Sequence, residues 1–333
     1  MSFDVILPFL RPIEGLIKDP NVSEIMVNGP ACVFVERDGQ LALVPGVTIA
    51  EKSLQVAVRN IARALGDEIG EEKPLLDSRL PDGSRVAAAI PPCSVGGTTL
   101  TIRKFHSRFF TAEELVRAGT LSPEIREHLR SAVEERQNIL ISGGTSSGKT
   151  TLLTALAGFI SDQDRVVLIE DTSEVQMTKP NLVRFEARRE QNGLPAVTIR
   201  DLLRATLRHR PDRIILGEVR GGEAYDLLQA LNTGHSGTLS TIHANSAQQA
   251  LSRFTSCVLQ SGVELPYQAI RANIGDAVHL LIHLERRNGR RIVGEVLRLE
   301  RFDAQADRYS VQTVLAAEQG KHNAKERWVQ IHS

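Results

Sequence analysis

The sequence predicts an α/β protein in which a smaller α+β domain precedes a larger domain built on a mainly parallel sheet. Three observations predict this fold class. The chain has 333 residues, and at about 100–200 residues per domain this length suggests two domains. The first third carries short alternating or β-rich runs separated by turn signals, which is typical of hairpins. From about Ser122, apolar strand-like runs alternate with helical patterns, which is typical of a parallel sheet.

The first third predicts a β-meander, a helix, a second hairpin and a final strand. In chain order these elements are VSEIMVN, CVFVER, QLALV, EKSLQVAVRNIARAL, RLPDGSRVAAAI and TLTIRK. Gly29-Pro30 and Asp82-Gly83 are among the turn signals that separate them. We place the domain boundary in KFHSRFFT. The predicted domains are therefore an N-terminal domain at 1–106, a linker at 107–121 and a C-terminal domain at 122–333.

The C-terminal part predicts four buried strands, because the strand-like runs are almost entirely apolar or β-branched, with helices before, between and after them. The strands are NILIS, RVVLIE, RIILGE and TLSTIH. The helices are SPEIREHLRSAVEER, KTTLLTALAGFI, TIRDLLRATLRHR, GEAYDLLQALN and SAQQALSRFTSCVLQSG. Helix ends are marked by Ser122-Pro123, a Thr198/Asp201 capping box and the C-cap glycine Gly234. The last predicted pair of strands, in HLLIHLERRNGRRIVGEVLRL, is joined across Asn288-Gly289.

Composition excludes several classes of protein. Forty basic residues balance forty acidic ones, so there is no overall electrostatic signature for nucleic acid or an anionic membrane. A DNA-translocating helicase is further disfavoured by the low aromatic content. Cys32, Cys93 and Cys257 form no CxxC pair, which favours a reducing cytoplasm and no zinc site. The N-terminal run lacks a basic n-region, and no apolar run is long enough to cross a bilayer. We expect a cytoplasmic protein that is at most peripheral to a membrane.

A phosphate-binding motif supplies the first functional prediction. GGTSSGKT matches G-x-x-x-x-G-K-[ST] and lies between a predicted strand and a predicted helix, which is the context that this motif requires. Lys149 is expected at the β- and γ-phosphates of a nucleotide, and the Thr150 hydroxyl at Mg²⁺. A chance glycine-rich turn is the alternative, but strand, loop and helix are all in place. The predicted nucleotide-binding residues are Gly143, Gly144, Thr145, Ser146, Ser147, Gly148, Lys149, Thr150 and Thr151.

Two predicted strands deliver acids that could support hydrolysis. In open α/β sheets, ligands lie at the carboxyl ends of the strands. RIILGEVR delivers Glu218 there, facing Mg²⁺ and the attacking water, with no aspartate at the usual Walker B position. RVVLIED delivers Glu170 and Asp171 to the same edge, although Asp171 could also belong to a simple turn or helix cap. Thr150 and Glu218 are therefore the predicted metal residues, with water as a possible intermediary.

The two histidines of TGHSGTLSTIHAN receive different predictions. His243 ends a predicted strand beside the acids, where it could donate a hydrogen bond to a γ-phosphate or its water. His235 precedes that strand in a loop, where a structural role and a functional one are equally open. Their spacing matches no zinc template.

Arginines could complete the site. Arg79, Arg85 and Arg103 lie in or beside strand signals of the first domain, from which an arginine could act on phosphoryl transfer. Arg200, Arg204 and Arg208 recur at helical spacing, and either a solvated face or a subunit boundary fits that stripe.

Four ordered motifs resemble the secretion ATPase superfamily, in the branch of conjugal-transfer, type IV secretion and tight-adherence (Flp) pilus ATPases. They are ISGGTSSGKTTLL, VVLIEDTSEVQ, RHRPDRIILGEVRGGEA and TGHSGTLSTIHANSAQQALSR. DPNVSEIMVNGP, LLDSRLPDGSRV and TLTIRKF are also similar to the N-terminal domain of that branch. Pilus-type members usually carry a longer N-terminal extension, so we expect the short conjugation or secretion type, although SGTLSTIHANS and LPYQAIR are at least as similar to the pilus type. The tetracysteine zinc motif of type II secretion relatives is missing.

This resemblance implies a RecA-like ATPase domain and a homohexameric ring of two-domain subunits that binds ATP and Mg²⁺ between the domains. It implies that Arg85 and Arg103 approach the phosphates, that Glu170-Asp171 form the acidic box, that Glu218 is the Walker B glutamate, and that the histidine box ends at His243. It also implies partners among the inner-membrane components of a secretion, conjugation or pilus apparatus. A nucleotide-gated assembly scaffold with little turnover remains an alternative. A P-loop kinase is disfavoured, because no acceptor-substrate signature is apparent.

Overall fold

The computed structural model describes residues 6–37, 40–105, 110–188, 190, 194–317 and 328–329. The chain divides into two compact units, residues 1–108 and 109–333. Half of the proposed boundary segment KFHSRFFT, residues 106–109, lies outside the described residues. Residues 112–117, within the segment predicted as a linker, form a helix with a Thr111/Glu114 capping box. The predicted domain limits themselves stay a prediction.

The first unit is a six-stranded antiparallel sheet with the order β3-β2-β1-β6-β5-β4. Its strands are β1 Val22–Asn28, β2 Val33–Arg37, β3 Gln40–Leu43, β4 Leu75–Arg79, β5 Arg85–Ala89 and β6 Thr99–Arg103. Its helices are α1 Glu14–Lys18 and α2 Glu51–Ala64, preceded by 3-10 turns at Leu7–Phe9 and Arg11–Ile13. Leu54, Val58 and Ile61 recur at helical spacing along α2, and all are fully buried in the core of this unit.

The second unit is a nine-stranded mixed sheet with the order β15-β14-β13-β12-β7-β11-β10-β8-β9. Its strands are β7 Ile139–Gly143, β8 Val166–Glu170, β9 Leu182–Glu186, β10 Arg213–Val219, β11 Leu239–His243, β12 Leu280–Arg287, β13 Arg290–Asp303, β14 Arg308–Ala317 and β15 Trp328–Val329. Its helices are α3 Ala112–Arg117, α4 Pro123–Glu134, α5 Lys149–Ala157, α6 Ile199–Thr206, α7 Glu223–Asn232, α8 Ala247–Leu259 and α9 Tyr267–Ala277. The six strands from β12 to β9 are parallel, and β13 to β15 extend the sheet antiparallel.

Helices cover both faces of the parallel part of the sheet. Successive residues of β7 show this, since Ile139 and Ile141 pack with α3 to α5 on one face and Leu140 packs with α6 to α9 on the other. All five residues of β7 are buried. A strand buried on both faces must be apolar throughout, which explains why NILIS was recognisable in the sequence.

The predicted fold class is confirmed. The four core strands, the Thr198/Asp201 capping box and the hairpin across Asn288-Gly289 are present. The helix TIRDLLRATLRHR is shorter than predicted, because α6 ends at Thr206. β9, α9 and β14 were not predicted. Within the described residues, no helix is long and apolar enough to cross a membrane.

Candidate active site

The predicted phosphate loop follows β7 and leads into α5. Gly148 has a φ of +97° and Ser146 a φ of +56°, so the loop bends through two left-handed positions. Among the described residues, no backbone N–H from residue 144 to residue 148 donates a hydrogen bond to a protein acceptor. Unused N–H groups at the N-terminus of a helix form an anion site. The loop therefore has the hydrogen-bonding capacity to hold phosphate oxygens.

Lys149 lies across the loop that it terminates. Its Nζ donates to the carbonyl oxygens of Gly143 at 3.1 Å and Gly144 at 2.9 Å. The residue is only 7% exposed. Burial lowers the pKa of Lys149, and the carboxylates of Glu218 and Glu174 oppose that shift. The ammonium group is thus held at the phosphate loop with little competition from water.

Four adjacent strands bring the predicted residues to one edge. β7, β11, β10 and β8 are neighbours in the sheet and parallel, so their carboxyl ends meet. His243 is directly paired with Gly143 at the start of the phosphate loop. The hydroxyl of Thr241 donates to the carbonyl of Gly217 at 2.7 Å, which links β11 to the end of β10.

Glu218 is the centre of a chain of polar contacts. Its Oε1 lies 2.7 Å from His243 Nε2, and its Oε2 accepts a hydrogen bond of 2.6 Å from Arg220 Nε. His243 Nδ1 lies 3.4 Å from Lys149 Nζ. Arg220 Nη1 donates to Asp171 Oδ2 at 3.0 Å. In order, the contacts connect Lys149, His243, Glu218, Arg220 and Asp171.

The contacts of His243 assign its tautomer. Lys149 can only donate, so Nδ1 must accept, and the proton on Nε2 is then donated to Glu218. Burial lowers the pKa of His243, Glu218 raises it, and the cations Lys149, Arg220 and Arg253 lower it further. The neutral imidazole therefore accepts a hydrogen bond from Lys149 and donates one to Glu218, and so connects the two side chains.

Glu170 occupies a different environment from Glu218. It is 3% exposed, and its Oε1 accepts hydrogen bonds of 2.7 Å from the backbone N–H groups of both Glu174 and Val175. Arg184 Nη2 lies 3.4 Å from Oε2. Burial raises the pKa of Glu170 despite these donors. The geometry gives Glu170 a clear structural task, since it holds the loop that follows β8; its predicted catalytic role stays a prediction.

The structure separates the two histidines. His235 Nδ1 lies 3.2 Å from the Ala230 carbonyl, and its backbone N–H donates to the same oxygen at 3.2 Å. With Gly234 at a φ of +97°, these contacts close the C-terminus of α7. His235 precedes β11 and His243 ends it, so the two lie at opposite edges of the sheet. This geometry favours the structural role for His235.

The first-unit arginines form a ladder. Arg79 is directly opposite Arg85, and Arg85 is directly opposite Arg103, across β4, β5 and β6. Glu24 of β1 is opposite Arg103 in turn. Directly opposed residues share a sheet face, and like charges in such pairs are destabilising. Three arginines therefore lie in register across this face, and their action on a nucleotide stays a prediction.

The other arginine stripe has an intramolecular explanation. Arg200 Nε and Arg204 Nε pair with the two carboxylate oxygens of Asp226 on α7 at 2.5 and 2.8 Å. Arg208 lies beyond the end of α6 at Thr206. The predicted three-residue helical stripe is therefore wrong at Arg208. The other two arginines form ion pairs that connect α6 to α7.

Sequence reasoning missed Arg220, which connects the acids of two strands. It follows Glu218 by two residues, so its position was visible, but its second partner Asp171 becomes a neighbour only through the pairing of β8 with β10.

Within the part of the chain that the structure describes, no group of three or more histidine, cysteine or acidic side chains could hold a metal ion by itself.

The second unit is a P-loop nucleoside triphosphatase domain. It has a phosphate loop, a glutamate at the end of a nearby strand, and a mainly parallel sheet with helices on both faces. More narrowly, the chain belongs to the type II/IV secretion system protein family, whose sequence profile matches residues 10–330, and it is an ATPase of that family.

Proteins similar to this chain are named for conjugal transfer and type IV secretion. A probable conjugal transfer protein TrbB of Sinorhizobium fredii is 37% identical over 289 residues, covering 86% of each chain. The type IV secretion system protein VirB11 of Bartonella henselae is 32% identical over 328 residues, covering 88% of this chain and 92% of that protein. The X-ray structure of the Legionella pneumophila ATPase DotB has a TM-score of 0.61 at 21% identity, covering 88% of this chain and 80% of that one. The last comparison shows the fold alone.

Proposed function

We propose that this chain is a Mg²⁺-dependent ATPase that works as a hexameric ring at the inner face of a bacterial membrane and powers conjugal transfer or type IV secretion. The observation that carries the proposal is the contact chain from Lys149 through His243 to Glu218, which starts at a phosphate loop with unused N–H groups. The relatives named for conjugal transfer and type IV secretion support the choice of machine.

Phosphate binding would use the loop and its lysine. The N–H groups of residues 144–148 would donate to phosphate oxygens, and Lys149 would exchange its two carbonyl contacts for the β- and γ-phosphates. Low exposure strengthens the attraction between its ammonium group and a phosphate. The buried lysine thus provides affinity for a triphosphate.

The oxygen donors beside the loop fit a hard divalent cation. Thr150 in the first turn of α5 offers a hydroxyl and Glu218 a carboxylate, which are ligand types that Mg²⁺ accepts, often through water. When bound, Mg²⁺ would neutralise negative charge on the β- and γ-phosphates.

Glu218 would orient and deprotonate the attacking water. Arg220 and His243 each donate to one of its oxygens, so the carboxylate is fixed in position for this role. His243 could transfer its Nε2 hydrogen bond from Glu218 to the γ-phosphate or its water. The same imidazole contacts Lys149, so it would respond to whether a triphosphate is present.

The first test is ATP turnover by the purified full-length chain with and without Mg²⁺. Wild-type protein should hydrolyse ATP only with the metal, and Lys149→Ala should abolish hydrolysis because the phosphate charge loses its counter-ion. Lys52→Ala is a matched control, since Lys52 is an exposed lysine on α2 of the first unit. Analytical ultracentrifugation with nucleotide should give a six-subunit species. ATP-dependent rings without turnover would support an assembly scaffold instead.

The proposed role in conjugal transfer or type IV secretion is tested in cells. Plasmid transfer from a strain lacking this gene should be restored by the wild-type gene and not by the Lys149→Ala gene, and the wild-type protein should sediment partly with inner membranes. If pilin assembly fails in the deletion strain while transfer is normal, the chain serves a tight-adherence pilus. The ATPase and its site would then stand, and the choice of machine would be wrong.

A further inference from the structure

An arginine-rich hairpin lies beside the phosphate loop. The β12-β13 turn at Asn288-Gly289 is flanked by two arginines on each side, and Arg286 is directly opposite Arg291 while Arg287 is directly opposite Arg290. Because successive residues of a strand point to opposite faces, Arg291 and Arg290 lie on opposite faces of the hairpin. Arg287 pairs with Glu285 on its own strand at 2.5 Å. The hairpin thus presents different arginines to its two sides.

Arg291 contacts the phosphate loop directly. Its Nε donates a hydrogen bond of 3.0 Å to the carbonyl oxygen of Ser146. Its aliphatic stem lies along Gly148, where a Cβ would meet Arg291 Cδ at 3.3 Å. Gly148 and Ser146 are the two left-handed positions of the loop. The side chain therefore lies beside both of these positions.

The held carbonyl fixes a neighbouring N–H group. A peptide bond is planar and trans, so the C=O of Ser146 and the N–H of Ser147 point in opposite directions. While Arg291 holds that carbonyl, the Ser147 N–H is turned away from the hairpin, and no protein acceptor among the described residues takes it. A non-glycine residue at a positive φ is a conformation that needs external support. The contact from Arg291 supplies this support at Ser146.

We propose that Arg291 is a positioning residue for the nucleotide site, which holds the Ser146–Ser147 peptide so that the phosphate loop is ready to donate to phosphate oxygens. This inference rests on the proposed nucleotide-binding function. Arg291 acts through the loop and touches no reacting atom. Its loss lowers affinity for ATP and ADP equally, because the N–H groups of the loop serve phosphates that both nucleotides carry, and it leaves the turnover rate at saturating ATP close to that of the wild type.

The experiment is a titration of the full-length protein with fluorescently labelled ADP and ATP, together with turnover measurements over a range of ATP concentrations. Arg291→Ala should weaken binding of both nucleotides roughly tenfold, the size expected for one hydrogen bond from a charged donor, and raise KM similarly with kcat within about twofold. Arg291→Lys should recover most of the affinity, because an ammonium group can also donate to the Ser146 carbonyl. Arg290→Ala is the matched control, since Arg290 is exposed on the other face of the same hairpin, and it should bind as the wild type does.

A second measurement, amide hydrogen exchange, distinguishes a local effect on the phosphate loop from a general folding defect. Hydrogen exchange should be faster in the segment containing residues 144–148 of Arg291→Ala, with the rest of the second unit protected as in the wild type. Unchanged affinity in Arg291→Ala would overturn the inference, and so would a loss for ATP alone, which would indicate a direct contact with the γ-phosphate. General loss of protection, or no rescue by lysine, would also overturn it. A wild-type protein that binds no nucleotide would instead refute the proposed function.

Discussion

Replacing Gly237 with alanine is expected to destabilise the second unit strongly. Gly237 has a φ of +81°, and a Cβ there would lie 2.0 Å from Arg213 Nη1. Arg213 is 3% exposed, and its Nε donates to Asp164 Oδ2 at 2.8 Å while its Nη2 donates to the Val133 carbonyl at 2.9 Å. The new methyl group must displace this guanidinium, and both hydrogen bonds are lost when it moves.

The magnitude follows from two costs. An alanine at a left-handed position costs about 1–2 kcal/mol, and separating a buried ion pair costs about 3–5 kcal/mol because a charge stays buried without its partner. Gly234→Ala is the matched control, since Gly234 has a φ of +97° in the same loop and nothing lies within 4 Å of its Cβ position. Gly234→Ala is therefore destabilised only by the left-handed backbone conformation of its alanine.

Thermal unfolding followed by far-ultraviolet circular dichroism measures the difference between the two variants. At roughly 2–4 °C per kcal/mol for a unit of this size, the Tm of Gly237→Ala should lie roughly 6–20 °C below that of Gly234→Ala. Equal Tm values would refute the reasoning, because they would mean that Arg213 moves aside without losing a needed partner.

Three further predictions concern the site. His243→Ala should lower kcat about tenfold or more with nucleotide affinity nearly unchanged, because a hydrogen bond to Glu218 is lost while Lys149 and the N–H groups of the loop remain available to the phosphates; a turnover rate equal to that of the wild type would remove His243 from the mechanism. Because the pKa of His243 is lowered below its ordinary value, its neutral form persists as pH falls through 6.5 and turnover should decline only at lower pH, a decline that His243→Gln should lack in a pH profile of kcat. Arg103→Ala should reduce kcat by at least about a hundredfold if it acts on the transferred phosphoryl group, whereas Arg59→Ala, an exposed arginine of α2, should not; similar rates in the two variants would leave the arginine ladder without a catalytic role.

The fold was predictable where a strand is buried on both of its faces. β7 and β8 are buried on both faces, so their sequences are uninterrupted apolar runs. β9 is the edge strand of the parallel part, is nowhere fully buried and contains Arg184 and Glu186, so its sequence carries no such run. α9 buries only Ile270 and Ile274 among its large residues, which is too weak a pattern to recognise.

The site was predictable where one motif specifies one geometry. The phosphate loop is such a motif, since loop, lysine and helix are consecutive in sequence. The connection of Glu218 to Asp171 through Arg220 depends on the order in which β8, β10 and β11 lie in the sheet, and the pairing of Arg204 with Asp226 depends on how α6 packs on α7. Such contacts join residues far apart in the chain, and their distance along the sequence conceals them.

The separation of binding from hydrolysis in Glu218→Gln is the most direct test of the proposed mechanism. Glutamine keeps the size of the side chain and one acceptor oxygen but cannot deprotonate water, and the phosphate loop is unchanged. We predict an ATP dissociation constant within about threefold of wild type and a kcat lowered by at least about a hundredfold, while Glu264→Gln, at an exposed glutamate, turns over normally. An unaffected turnover rate, or a loss of ATP binding, would contradict the role of Glu218 as the residue that activates water.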